Sequence, residues 1–241
     1  MERVYSFPPD SQHHHCFTKD TDIKRHGAYQ AAKAGDFDAA LELVEDLASD
    51  FLAGIKSCFP SGMNFVSPYA REATGDNALP LVLSLECARK MSGKSDTDVV
   101  QVQKVFHTGA DPMERLMLRP SFEGQVTPGA LYVLVDDVTS MGGTLAELAN
   151  FVLLKGGKIA GSVVLVNAGR SKRFSPVKKH IQLLEDRFGD EINEIFGIHT
   201  TALTANEASY LVGFRSADEI RNRCLKAEKE TALRLLSKKD S

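Results

Sequence analysis

The stretch from Tyr132 to Leu145, YVLVDDVTSMGGTL, joins an apolar run to two adjacent acids, a turn of small residues and the start of a helix. An apolar run without polar alternation suits a strand buried on both faces, as the strands of parallel sheets are. Asp136 and Asp137 then stand at its carboxyl end, where open α/β sheets bind ligands. The helix that follows begins with backbone N–H groups that have no intrahelical partner and with the positive end of its dipole, which together favour a phosphate. Gly142 and Gly143 have no Cβ, so the backbone can close around phosphate oxygens, while Ser140 and Thr144 add hydroxyl donors. Two carboxylates cannot face that phosphate. They are placed to accept hydrogen bonds from the vicinal hydroxyls of a sugar, directly or through a divalent metal. A helix cap with a tight turn would need only one acid and one turn residue, whereas a phosphate beside a diol uses the whole stretch.

Outward from this segment, strands and helices alternate. Met63 to Val66 is a short strand, followed by a loop to Asn77 and a helix from about Leu79 to Met91 with Pro80 in its first turn. Val99 to Phe106 reads as a second strand, Leu131 to Val135 as a third and Ile159 to Val166 as a fourth. A helix from about Thr144 to Leu154 is closed by Gly156 and Gly157. Upstream, Phe37, Ala40, Leu41, Val44, Leu47, Ala48 and Phe51 recur at helical spacing behind Asp36 as N-cap. This alternation predicts an α/β fold with a parallel central sheet flanked by helices. The last quarter is helical by pattern: Thr204 with Glu207, and Ser216 with Glu219, have capping-box spacing, and Ile220, Cys224, Ala227 and Thr231 form a stripe. The chain is expected to divide into a polar N-terminal arm (1–25), an α/β core (26–175) and a helical C-terminal extension (176–241).

With 241 residues, 43% of them hydrophobic and 25% charged, the chain has the length and balance of one ordinary globular core. A net charge of −3 provides no global basic field, so nucleic acid is not an expected partner. Cys16, Cys58, Cys87 and Cys224 have no CxxC pairing and read as reduced thiols. No stretch approaches the roughly 18 apolar residues of a membrane span, and the first nineteen residues carry no apolar run of the signal-peptide kind. A soluble, cytoplasmic protein without membrane partners is expected. His13, His14, His15 and Cys16 could suggest a metal site, but neighbours on one strand point apart and seldom complete a ligand set.

In this order of parts the chain resembles the type I phosphoribosyltransferase family, whose loop for 5-phosphoribosyl-1-pyrophosphate (PRPP) is a hydrophobic strand, two acids and a Ser/Thr/Gly turn before a helix. The resemblance runs unbroken through VLVDDVTSMGGT, and the strand order fits from about Met63 to Asn167. It implies a sheet of that family's kind, PRPP and a nitrogen base as small-molecule partners, Mg²⁺ as cofactor, and phosphoribosyl transfer to the base with release of pyrophosphate. On this resemblance Asp136 and Asp137 hold the ribose and the metal, and Thr139, Ser140, Met141, Gly142, Gly143 and Thr144 hold the 5-phosphate. Met141 stands where a Thr is common. Ser140 stands where some purine-acting members carry an acid over the base, so no general base is implied from this loop.

The family's pyrophosphate loop corresponds to Ser67–Asn77, with Arg71 as the contact and Thr74 and Gly75 assisting. This loop is longer than the family's turn, and Arg71 could instead pair with Glu72 or Asp76. The long connection after Phe106 takes the position of the family's catalytic lid, with Lys104, His107, Arg115 and Arg119 as cations for the departing pyrophosphate. Asn167 is the candidate base contact, and a homodimer follows from family habit. Two other readings remain open: a PRPP-sensing regulator without turnover, and a DNA-binding helix pair formed by the region after Leu203 with Arg215, Arg221 and Arg223.

Overall fold

A computed structural model describes residues 1–69, 77–102 and 110–237, with side chains as far as residue 233. Five parallel strands form its centre: β1 (Gln12–Phe17), β2 (Asn64–Val66), β3 (Lys94–Asp96), β6 (Leu131–Thr139) and β7 (Lys158–Asn167), in the spatial order β1-β7-β6-β2-β3. The two-residue strands β4 (Val100–Gln101) and β5 (Phe122–Glu123) pair antiparallel beside it.

Both faces of the sheet are covered, which is why its middle strands tolerate no polar alternation. Along β6, Val133 and Val135 point into a cluster with Leu43, Leu52 and Leu83 from the helices α3 (Phe37–Ile55) and α4 (Leu79–Lys90). The short helices α1 (Thr21–Lys24) and α2 (Tyr29–Lys33) close the same side. Tyr132 and Leu134 point the other way, onto Leu145, Leu148 and Phe151 of α6 (Gly143–Leu154).

A third cluster joins α5 (Pro112–Met117) to the C-terminal helices α7 (Lys178–Phe188), α8 (Glu191–Phe196), α9 (Ala205–Leu211) and α10 (Ala217–Ser237). Ile220 and Ala227 of the expected stripe are buried there. Helix starts follow the sequence signals. Asp36 accepts the N–H of Ala39, and Thr204 with Glu207 makes a complete capping box. Ser216 accepts the N–H of Glu219, but the Glu219 carboxylate takes the N–H of Arg215 instead of closing the box.

Three expectations are corrected. Residues 1–25 are not an arm: β1 pairs with β7 from Gln12 opposite Gly161 to Phe17 opposite Val166, Phe7 is buried, and Arg3 is fully buried. The segment looked unanchored because its inward surface is made of ring bodies and hydrogen bonds, with few aliphatic side chains. His13 is bonded through Nδ1 to the Ser162 hydroxyl and through Nε2 to the Ser11 hydroxyl, both at 2.9 Å, and lies 4.5 Å from the Phe174 ring. Burial lowers its pKa to about 4, so it is neutral and structural. Of the strand expected at 99–106, Val100–Gln101 forms β4 in the antiparallel pair and 103–106 lie outside the described residues; the parallel sheet takes its strand from Lys94–Asp96. An edge strand needs no apolar run, and this one is tied to α4 by Ser84 Oγ and Ser95 Oγ at 2.9 Å. Finally, the connection expected to be a lid is packed from Ala110 onward, with Met113 and Leu116 of α5 in the third cluster; its earlier part, 103–109, lies outside the described residues.

The first residues are laid along α6 by one buried side chain. Asn150 accepts the N–H groups of Val4 and Tyr5 at 3.0 and 3.1 Å and donates to the Glu2 carbonyl at 3.0 Å. Asn150→Leu keeps the volume but leaves these groups unpaired, and a loss of about 2–3 kcal/mol in stability is expected from urea unfolding midpoints.

Candidate functional site

From β2 the chain builds the sheet first toward β3 and then, through β6, toward β7, so the order reverses between β2 and β6. Such a switch point opens a crevice outside the carboxyl ends of the two strands. Beside it lie buried Ser67 after β2 and Asn77 before α4 on one side, and the turn after β6, from Thr139 to Gly142, on the other; residues 70–76 lie outside the described residues.

Asp136 and Asp137 sit at this edge, and both are buried. The Asp137 carboxylate accepts three hydrogen bonds: Lys33 Nζ of α2 and Asn77 Nδ2 each donate to Oδ2 at 2.9 Å, and the Val138 N–H donates to Oδ1 at 2.9 Å, which leaves Oδ1 with acceptor capacity. Burial opposes its ionisation, but the Lys33 ammonium and these hydrogen bonds outweigh it and hold the carboxyl below its ordinary range. Asp136 accepts the Asp137 N–H at 2.9 Å. Burial, and then the adjacent Asp137 charge, push its carboxyl well above the ordinary range. The edge thus carries one carboxyl whose ionisation is favoured and, beside it, one whose ionisation is disfavoured.

The turn is shaped by its backbone. Gly142 is left-handed at φ 82°, and a Cβ there would lie 3.3 Å from both Phe174 and Thr204. The Ser140 carbonyl accepts from Asn206 Nδ2 at 3.0 Å, and the Met141 carbonyl from Thr204 Oγ1 at 2.5 Å. Arg115 of α5 donates from Nη1 to Ser140 Oγ at 3.0 Å. At the next strand end, Asn167 Oδ1 accepts the Gly169 N–H at 3.1 Å, and the Asn167 carbonyl accepts from Lys172 Nζ. Between these strand ends lies a small polar hollow lined by Ser140, Gly142, Asn167, Phe174, Thr204 and Asn206.

No family model matches the chain. In sequence it is 36% identical over 213 residues to Protein TraN of Escherichia coli, across 86% of this chain and 48% of that protein. It is 31% identical over 134 residues to an uncharacterized protein of Haemophilus influenzae, across 55% of this chain and 30% of that one. The chain therefore spans half or less of the length of these curated relatives. Among solved structures it is similar to an adenine phosphoribosyltransferase of Thermoanaerobacter pseudethanolicus, with 18% identity, 61% of this chain and 74% of that chain covered, and a TM-score of 0.31. A second is the adenine phosphoribosyltransferase of Leishmania donovani, with 11% identity, 66% and 84% covered, and a TM-score of 0.37.

The geometry sorts the expected site residues. It brings Asp136, Asp137, Thr139–Thr144, Arg115 and Asn167 to one edge of the sheet. Arg119 is drawn elsewhere: Nη1 donates to Glu147 of α6 at 2.7 Å, beside fully buried Arg3, which makes it part of an internal ion-pair network. Arg71 and Lys104 lie outside the described residues. Lys33, Asn77, Thr204 and Asn206 were not foreseen as site residues. The sequence offered a helix-start signal for Thr204, and it placed Asn77 at the end of the expected pyrophosphate loop. In the C-terminal pair, Arg221 is held by Asp218 and Glu191, and Arg223 by Asp111 and Glu230, while the apolar stripe packs inward. In this packing unit two of the three arginines, Arg221 and Arg223, are engaged by acids of the same chain. Among the described residues no helix is long and apolar enough to cross a membrane.

Proposed function

We propose that the crevice binds PRPP and that the chain transfers its phosphoribosyl group to a nitrogen base. The observation that carries this reading is the meeting, at one switch point, of two buried acids with a glycine turn that opens onto the N-terminus of α6. The 5-phosphate rests on the amides at the start of α6, with Ser140, Arg115 and Thr144 adding donors. The ribose hydroxyls meet Asp136 and Asp137, the second kept as an acceptor by Lys33. The bond from C1 to the pyrophosphate oxygen breaks with its electron pair leaving on pyrophosphate, a bond from C1 to the base nitrogen forms, and the proton that nitrogen carried passes to pyrophosphate or water. Arg71 and Lys104 remain the candidates for the pyrophosphate, and Asn167 for the base.

The acids do not fit a divalent ion held directly by Asp137, because the Lys33 ammonium already sits 2.9 Å from Oδ2. Mg²⁺, which is usually bound through substrate phosphates and water, would accompany the pyrophosphate.

The test is incubation with PRPP, Mg²⁺ and a panel of nitrogen bases, with pyrophosphate detected. Release that depends on one base is the expected result. Saturable PRPP binding without release from any base would make the site a PRPP sensor, and no PRPP binding would overturn the reading altogether.

A further inference from the structure

A loop that holds phosphate must present donors, yet every residue of it also carries a carbonyl acceptor that would repel the ligand. Here the carbonyls of Ser140 and Met141 are taken up by Asn206 Nδ2 and Thr204 Oγ1, both on the first turn of α9. The peptide bonds are trans, so the N–H groups of Met141 and Gly142 point away from those carbonyls and away from α9. The acceptors are bound on one side of the loop and the donors are turned out on the other.

The holding residues are themselves fixed. Asn206 also donates to the Ser171 carbonyl and accepts the Ser171 N–H, at 3.1 and 2.8 Å, so its amide cannot rotate freely. Thr204 accepts the Glu207 N–H at 3.1 Å, and Glu207 Oε2 accepts the Thr204 N–H at 2.8 Å. The same Oε2 accepts from Arg3 Nη2 at 2.7 Å, with both side chains buried. At Gly143, the first residue of α6, any Cβ would come within 3.0 Å of Glu207 Oε1. The turn of α9 is therefore fitted against the loop at two successive carbonyls and at the glycine that follows them.

We infer that Thr204 and Asn206 are positioning residues for the phosphate loop, orienting its amide groups for an anionic phosphate ester from behind. The Arg3–Glu207 pair sets the turn that carries them. This rests on the reading of the crevice as a PRPP site.

The test compares wild type, Thr204→Val, Thr204→Ser and Asn206→Asp by calorimetric titration with PRPP, ribose 5-phosphate and Mg²⁺-pyrophosphate. Loss of the hydrogen bond in Thr204→Val is expected to weaken PRPP and ribose 5-phosphate about tenfold, the equivalent of one hydrogen bond. Pyrophosphate affinity stays unchanged. Asn206→Asp, which loses the donor to Ser140, is expected to behave in the same way, and Thr204→Ser to recover wild-type affinity. A uniform loss for all three ligands, or none for any, would overturn the inference while leaving the PRPP reading in place. If the wild type binds neither PRPP nor ribose 5-phosphate, the underlying reading falls, and the inference with it.

Discussion

Gly161→Ala is expected to force β1 off the sheet. A Cβ at residue 161 would lie 1.9 Å from the Gln12 carbonyl oxygen, and that atom belongs to the backbone of the paired strand. A side chain can swing aside, but this carbonyl can retreat only by giving up the β1–β7 ladder. The cost is expected near the upper end for overpacking, about 3 kcal/mol, and should appear as a lower urea midpoint. A second readout locates the damage. His13 is buried between Ser11, Ser162 and Phe174, with its pKa lowered to about 4; once β1 is displaced, its ring should titrate near the ordinary value of about 6.5. A variant with unchanged midpoint and unchanged His13 titration would mean that the two strands do not approach as closely as described.

Asp136→Asn and Asp137→Asn, although adjacent, are expected to shift stability in opposite directions. Asp137 has a lowered pKa in the folded chain, so its contribution is present above the ordinary carboxylate value and lost as pH falls through the folded value. Asparagine in its place leaves the Lys33 ammonium without its counter-charge. The Lys33 side chain is 33% exposed, so the penalty is expected at about 1–3 kcal/mol, below the value for a fully buried pair. Asp136 has a raised pKa, so its favourable contribution is present in acid and lost as pH rises through the folded value. Asparagine does not titrate and keeps the acceptor for the Asp137 N–H. Asp136→Asn should therefore gain on wild type as pH rises, and Asp137→Asn should lose least in acid. Thermal midpoints measured across pH check both signs, and parallel losses at every pH would refute the assignment. Each variant is also expected to weaken PRPP by at least about tenfold if the acids meet the ribose.

The parts of the fold that could be read from sequence were those in which one chemical signal had one structural use. The apolar run of β6 and the stripe of α3 each bury a continuous face, and Asp36 caps the helix after it. Strands that are anchored by mixed means escaped. β1 is held by histidine rings, two serine hydroxyls and a neighbouring glycine, and β3 is a polar edge strand of three residues. In the site, the local segment from Asp136 to Thr144 was legible because its parts are consecutive. Lys33, Thr204 and Asn206 arrive there from distant elements, and nothing in AAKAG or in the capping box of α9 specifies what lies across from it. Arg115 and Arg119 show the same limit. They lie four residues apart on one short segment, yet one reaches Ser140 and the other Glu147.

The carbonyls of Ser140 and Met141 are gripped by side chains encoded much later in the chain, which are in turn fixed by Arg3 at its start. During synthesis the loop sequence leaves the ribosome well before the turn that shapes it. Until that turn has emerged and docked, a nascent chain can possess the strands and both acids while the carbonyls of the loop are still unheld. On the proposed reading, full affinity for the phosphate ester would come only with the last part of the chain to be made.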